Sequence, residues 1–119
     1  MASPLPRLGP REATVMAVLW GAPDRLLQVR EVRERLGEDL AYTTVMTLLV
    51  RLHAKGLLTR RRRGRAWAYR PKISRSEYAA LGMVHALHGA TDPPTTFFQF
   101  VEQLSEDEQV ALRAVLDEQ

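Results

Sequence analysis

Six arginines lie in one short segment of the chain, TRRRRGRAWAYRP from Thr59 to Pro71, and five of them surround a single glycine. Guanidinium groups bind phosphate oxygens through paired hydrogen bonds, so this segment suits a polyanion. Alternation along a strand would divide the side chains between two faces, so we expect two or three to contact a ligand, with Arg63 and Arg65 at the tip best placed. A solvated basic loop and a charge-protected edge strand are the alternatives. A nuclear localisation signal fits less well, because Trp67 and Tyr69 continue the segment as a strand.

Few other side chains are arranged for chemistry. His85 and His88 stand three apart on a predicted helix, a spacing that can share a metal. With three histidines and no cysteine in the chain, a third ligand would have to be a carboxylate or come from a second subunit, and simple packing is the alternative. No glycine-rich phosphate loop, serine elbow or histidine–carboxylate pairing occurs. The sequence therefore predicts no enzyme, no cofactor and no metal site.

The charge of the chain is unevenly distributed. Residues 1–75 contain 16 Lys and Arg against 6 Asp and Glu, whereas residues 76–119 contain 1 against 8. The first part is therefore suited to a polyanion, and the second part would be repelled by one.

The elements that must position the arginines follow from helix signals and apolar spacing. Gly9 begins a predicted helix that ends near Trp20, and apolar residues at helical spacing predict a second and a third helix that stop at Gly37 and Gly56. Strand-favouring residues on both sides of Gly64 predict a hairpin. Three helices closed by a basic hairpin form a winged helix-turn-helix.

The rest of the chain is predicted to be a helical arm. Two capping boxes, Ser74 with Glu77 and Ser105 with Glu108, each begin a helix. These helices carry more apolar surface than about 45 residues can bury alone, so a second copy is expected to cover it. The residues expected to mediate dimerisation are Tyr78, Leu81, Phe97, Phe98, Val101, Leu104, Leu112, Val115 and Leu116.

The predicted fold class is mainly α with a small β-hairpin. A winged-helix DNA-binding domain is expected at residues 1–73 and a C-terminal helical dimerisation region at residues 74–119. No apolar run approaches the roughly 20 residues that span a bilayer, and the start of the chain lacks a signal-peptide core. We therefore expect a cytoplasmic protein without membrane insertion.

The third predicted helix has a polar face on the side opposite the apolar residues that are predicted to face the core. If this helix enters a major groove, its N-terminal residues meet base edges. The predicted base-reading residues are Tyr42, Thr43, Met46 and Thr47, and the predicted DNA-backbone contacts are Thr44, Arg51, Arg60, Arg62, Arg63 and Arg65. An amphipathic helix with an ordinary solvated face is the alternative, and the basic hairpin beside it favours DNA. For the whole chain, the alternative is a winged-helix interaction module whose basic hairpin binds an acidic protein.

These segments together resemble the penicillinase-repressor (BlaI/MecI) family of bacterial winged-helix repressors. The resemblance extends over nearly the whole chain from Leu8. It is carried by LGPREATVMAVLW, VREVRERL, YTTVMTLLVRLHAKGLLTR, GRAWAYRPKISRSEY and, in the arm, FVEQLSEDEQVALRAVL.

The resemblance implies a homodimer that represses transcription from an inverted-repeat operator, controlling a β-lactam-response or related regulon. It also implies a membrane sensor protease system and cleavage of the arm, at a position that corresponds to Gln99 and Phe100. The usual Ser/Thr helix caps are replaced by Gln28 and Ala41. The C-terminal cysteine motif of copper-responsive relatives is missing, which argues against copper sensing.

Overall fold

The computed structural model describes residues 5–37 and 39–119. Their elements are α1 (Pro10–Trp20), β1 (Leu27–Gln28), α2 (Val29–Leu36), α3 (Tyr42–Ala54), β2 (Leu58–Arg63), β3 (Ala66–Pro71), α4 (Arg75–His88), α5 (Pro93–Gln103) and α6 (Glu106–Asp117). The chain forms two compact units, Met1–Leu81 and Gly82–Gln119. The division lies inside α4, later in the chain than the predicted boundary after residue 73.

The first unit packs three helices against a three-stranded antiparallel sheet with the strand order β1-β3-β2. The predicted hairpin is present, with Leu58 opposite Pro71 and Arg63 opposite Ala66. The short segment before α2, for which the helix and hairpin signals predict no strand, adds a third strand through the pair Leu27 and Tyr69. This pairing makes β3 the central strand of the sheet. The hairpin of β2 and β3 is the wing, and β1 joins it to the segment that precedes α2.

The core of the first unit lies where α1, α2 and α3 meet the sheet. The apolar residues at helical spacing in these three helices face this core, and buried residues of the strands pack against them. Side chains below 2% exposure include Val15, Met16, Leu19, Leu27, Val32, Val45, Leu49, Leu52, Leu57 and Tyr69.

The predicted capping boxes form in the structure. The Ser74 hydroxyl accepts a hydrogen bond from the Glu77 amide at 3.0 Å, and the Ser105 hydroxyl accepts one from the Glu108 amide at 3.1 Å. In each box the glutamate carboxylate accepts the serine backbone N–H in return. These contacts satisfy amides that a helix start leaves without intrahelical partners.

The second unit contains the end of α4 together with α5 and α6. None of the described residues in these three helices is buried, and Phe97, Phe98, Val115 and Leu116 are each more than half exposed. A mainly apolar cavity of about 640 Å³ opens between the helices of this unit. Within the described residues, no helix combines the length and apolarity that crossing a membrane requires.

Candidate nucleic-acid interface

The outer face of α3 is built by the amphipathic pattern of its sequence. Val45, Leu48, Leu49 and Leu52 face the core, and the predicted base-reading residues lie on the opposite side. All four of them are exposed, with Tyr42 at 44% and Met46 at 40%. The structure therefore brings the predicted base-reading residues, Tyr42, Thr43, Met46 and Thr47, to one solvent-facing surface.

A polar recess lies between α1 and α3. Its volume is about 350 Å³, and its lining residues are Arg11, Thr43, Thr44, Thr47, Leu48 and Arg51. The Thr47 hydroxyl donates to the Thr43 carbonyl at 2.8 Å, so its proton is used within the helix. Within residues 5–37 and 39–119, neither Arg11 nor Arg51 has a carboxylate at ion-pair distance. The recess therefore holds two guanidinium groups that are available to an anion.

Arg11 is the functional candidate that sequence reasoning missed. It belongs to the first turn of α1 and is far from α3 in sequence, so no spacing rule links it to Arg51. Only the packing of α1 against α3 places both arginines at the same recess. The basic character of the first 75 residues was the one signal that could have included it.

A partly buried ion pair fixes the C-terminal end of α3 to the first turn of α1. The Lys55 ammonium hydrogen-bonds to Glu12 Oε1 at 2.8 Å and lies 2.8 Å from Oε2, where it forms an ion pair without hydrogen-bond geometry. Lys55 also donates to the Arg7 carbonyl at 2.7 Å, and Glu12 accepts the Gly9 amide at 2.8 Å. The hydrogen bond from Lys55 lowers the pKa of the Glu12 carboxyl, despite the opposing effect of burial.

The start of α3 is held by its preceding loop rather than by a side-chain cap. Ala41 occupies the N-cap position and offers no hydroxyl or carboxylate to the first amides of the helix. Arg33 of α2 donates from Nε to the Leu40 carbonyl at 2.7 Å, which ties this loop to α2. The helix α2 ends at Gly37, whose φ of 69° lies in the left-handed region.

The wing turns through Gly64 and Arg65. Gly64 has a φ of 64°, and among the described residues only glycines have a positive φ. A positive φ at Gly64 followed by a negative φ at Arg65 is the pattern of a type II′ turn, whose twist matches that of a hairpin. The turn places Arg63 and Arg65 at the exposed tip, as predicted from the sequence.

Trp67 organises two of the wing arginines. The Arg60 guanidinium lies 4.2 Å and the Arg62 guanidinium 5.0 Å from the centre of the Trp67 ring. Arg62 is directly opposite Trp67 in the strand register, and Arg60 is opposite Tyr69 on the same face. Stacking leaves the edge N–H donors of a guanidinium available, so Arg60 and Arg62 stay predicted backbone contacts.

The inner end of the hairpin is anchored by Tyr69, which is 1% exposed. Trp67 is half-buried beneath its arginines and packs against the edge of the core. His53 of α3 meets Tyr69 edge-on, with ring centres 6.5 Å apart. Burial lowers the pKa of His53, and the positive charges of Arg60 and Lys72 lower it further, so the imidazole is neutral near pH 7.

Two residues of the predicted dimerisation set lie in the first unit. Tyr78 is half-buried, its ring centre is 5.7 Å from that of Trp20, and its hydroxyl donates to the Pro6 carbonyl at 2.7 Å. Leu81 is 48% exposed at the end of this unit. Tyr78 therefore has partners within its own chain.

The remaining predicted arm residues lie in the second unit. Phe97, Val101, Leu112 and Leu116 line its apolar cavity, and Phe98 and Val115 are more than half exposed. Leu104 is half-buried at the end of α5. The predicted cleavage residues Gln99 and Phe100 lie on α5, and both are exposed.

The two histidines whose spacing could share a metal lie in the last turn of α4. His85 and His88 are both exposed. Among the residues that the structure describes, no group of three or more histidine, cysteine or acidic side chains comes together in a metal-binding arrangement.

Comparison with known proteins decides the family. The sequence model of the family described as "Penicillinase repressor" matches residues 8–118. The chain belongs to the penicillinase-repressor family. The resemblance inferred from the sequence is thereby confirmed.

Known proteins similar to this penicillinase-repressor chain support the same family assignment. It is 44% identical to "Transcriptional regulator BlaI" of Mycobacterium tuberculosis, over 96% of this chain and 86% of that protein. It is 28% identical to the "Penicillinase repressor" of Bacillus licheniformis, over 96% of this chain and 92% of that protein. A solution structure of monomeric Bacillus licheniformis BlaI in complex with the blaP half-operator is 31% identical, with a TM-score of 0.50 over 63% of this chain and 92% of that chain.

Family membership confirms the predicted fold and function class. The chain is a mainly helical winged-helix protein with a small antiparallel sheet. Members of the penicillinase-repressor family are DNA-binding transcriptional regulators and not enzymes, so the prediction of a repressor without catalytic activity holds.

Proposed function

We propose that this repressor binds an inverted-repeat operator as a homodimer, with α3 of each subunit in the major groove and the wing beside it. The observation that carries the proposal is the exposed surface of α3, which the arginines of the recess border, in a unit that also exposes the arginines of the wing. Bases would meet Tyr42, Thr43, Met46 and Thr47. Phosphates would meet Thr44, Arg51, Arg60, Arg62, Arg63 and Arg65, together with Arg11.

The recess supports a particular docking of the backbone. A helix in the major groove brings the phosphates of the flanking strands past its sides. Arg11 and Arg51 lie at one recess, and Thr43 and Thr44 are among the residues that line it. One phosphate there would be held by two guanidinium groups, which fixes the register of α3 on the duplex.

The second unit supports the homodimer. Its helices expose Phe97, Phe98, Val115 and Leu116, each by more than half of its surface. Apolar surface of this extent on a small helical unit favours a partner, and an identical chain is the simplest one. Dimerisation would link two weak half-site contacts into one tight operator complex.

The regulatory part of the proposal rests on the family alone. The exposed Gln99 and Phe100 on α5 correspond to the position at which a sensor-dependent cleavage would separate the two DNA-binding units. Control of a β-lactam-response or related regulon belongs to the same proposal, as does a cytoplasmic location with access to DNA.

Selection from a random duplex pool tests the proposed function. The purified full chain is incubated with the pool, bound duplexes are amplified over several rounds, and the enriched sequence is measured by gel-shift titration against a scrambled duplex. We expect an inverted repeat, a preference of at least about a thousandfold over the scrambled duplex, and a complex with two chains. An enriched pool without two-fold symmetry would contradict the homodimer, and no enrichment with no binding at low salt would favour an acidic protein partner instead.

A further inference from the structure

Three large apolar side chains form a line on the outer face of α3. Tyr42, Met46 and Val50 are 44%, 40% and 46% exposed, and they follow one another at intervals of four residues. Four residues advance a helix by slightly more than one turn, so the three side chains lie one above another. We refer to Tyr42, Met46 and Val50 as the apolar stripe.

The apolar stripe is not explained by packing within the chain. The core side of α3 is supplied by Val45, Leu48, Leu49 and Leu52. Val50 lies on the exposed side of α3 and is not one of the predicted base-reading residues. Exposed apolar residues in a line on a binding helix suggest a ligand with apolar groups at matching positions.

Hydrogen-bonding capacity on the same face is small. Residues 42–50 contain no Asn, Gln, Arg or Lys, the side chains that make two hydrogen bonds to one base. Thr47 uses its hydroxyl proton on the Thr43 carbonyl. Apart from the hydroxyls of Tyr42, Thr43 and Thr44, the groups that α3 offers to base edges are therefore largely apolar.

We infer that the apolar stripe reads the 5-methyl groups of thymines in the major groove. The thymine methyl is the one apolar group that natural bases present there. The inference rests on the proposed function and specifies the chemistry of its readout. It predicts a thymine in each half-site opposite Met46 and another opposite Val50.

Charge favours DNA over other occupants of this surface. Arg11 and Arg51 border the outer face of α3 on one side, and the wing contributes six more arginines to the same unit. A second copy would present the same positive charges and be repelled. A duplex offers methyl groups between two rows of phosphates, which matches an apolar stripe with basic borders.

Replacement of thymine by deoxyuridine tests the inference. Uracil keeps the base pair and its hydrogen-bonding edge and lacks only the 5-methyl group. In the duplex enriched from the random pool, each thymine is replaced in turn, and affinity is measured by fluorescence anisotropy at fixed salt. We expect a loss of about fourfold at each contacted thymine, the effect of one buried methyl group, and no loss elsewhere.

Coupling to named side chains makes the test specific. Met46→Ala should lose sensitivity to one thymine methyl, and Val50→Ala to another. A substitution combined with deoxyuridine at its own thymine should therefore cost less binding free energy than the sum of the two separate changes. Val110→Ala, at a 63% exposed residue of α6, is the matched control and should leave the whole deoxyuridine profile unchanged. Circular dichroism confirms that each variant is folded.

Two outcomes separate this inference from the proposed function. If the enriched duplex binds selectively but no deoxyuridine replacement weakens it, or if the coupling is absent, readout of thymine methyls is wrong and the repressor proposal stands. If no duplex is enriched at all, the proposed function itself fails.

Discussion

The ammonium of Lys55 lies 2.8 Å from the Glu12 carboxylate and joins the end of α3 to the first turn of α1. The side chain of Glu12 is only 8% exposed and that of Lys55 is 30% exposed. The two helices that this contact joins also carry the residues of the recess, Arg11 on α1 and Arg51 on α3. The ion pair therefore connects the stability of the first unit with the geometry of its interface.

Removal of the Lys55 charge should destabilise the first unit. Lys55→Met leaves the Glu12 carboxylate buried without its cation, and we expect a loss of roughly 2 kcal/mol, below the cost of breaking a fully buried pair because Lys55 is partly exposed. Urea denaturation followed by circular dichroism measures the change. Lys72→Met, at an exposed lysine of the same unit, is the control and should have little effect. Equal midpoints for the two variants would show that the ion pair contributes nothing.

The same ion pair predicts how stability depends on pH. The pKa of Glu12 is lower in the folded chain than its ordinary value of 4.5, so its stabilising contribution is complete above that value and is lost as pH falls through the folded pKa. We expect the native chain to lose stability between about pH 5 and about pH 3 more steeply than Glu12→Gln. Urea midpoints at several pH values measure the difference between their slopes. Parallel pH profiles would contradict a lowered pKa at Glu12.

Arg11 should contribute one phosphate contact. Arg11→Ala is expected to weaken binding to operator and random duplexes alike, and to reduce the slope of log affinity against log salt by about one unit. Arg113→Ala in α6 removes the same charge from the second unit and is the control. A slope that changes equally in both variants would indicate an effect of net charge rather than a contact at the recess.

Wing-tip arginines and α3 threonines should affect binding in different ways. Arg63→Ala and Arg65→Ala should weaken binding to every duplex with a smaller salt slope, because they contact phosphate. Thr43→Ala or Thr47→Ala should change which sequences are preferred, because these side chains face bases. Gel-shift titrations against the enriched and scrambled duplexes distinguish the two effects. If neither kind of change alters operator binding, the proposed docking is wrong.

Trp67 should act through the arginines that it supports. Trp67→Ala removes the ring on which Arg60 and Arg62 stack, so we expect weaker binding to all duplexes at nearly unchanged salt slope, since the charges themselves remain. Trp67→Phe retains an aromatic face and should recover part of the affinity. Anisotropy titrations at several salt concentrations measure both effects. An affinity as low in Trp67→Phe as in Trp67→Ala would argue against stacking.

The apolar face of the second unit should decide the oligomeric state. Phe98→Asp or Leu116→Asp introduces a charge where we propose a subunit interface, so a monomer with greatly reduced operator affinity is expected. Sedimentation velocity measures the mass, and gel shifts measure the affinity. Gln103→Asp, at an exposed polar residue of α5, is the control. A dimer that survives both changes would place the interface elsewhere.

Local signals in the sequence were sufficient for most elements of the fold. Gly9 before Pro10, the capping boxes at Ser74 and Ser105, and Gly64 in the hairpin each act within a few residues, so their structural effect can be read from neighbours. The family could likewise be identified because its motifs follow one another in a fixed order along the chain.

Contacts between distant segments could not be read in the same way. The pairing of β1 with β3, the meeting of Arg11 with Arg51, and the ion pair of Glu12 with Lys55 each join residues with no periodic relationship. Periodicity determines which face of a helix is apolar, but the packing of one element on another determines which polar groups then share a site. The sequence by itself thus determined a winged helix with a basic hairpin and a helical arm, whereas the tertiary structure decided which arginines border α3, because that depends on how α1 is packed against it.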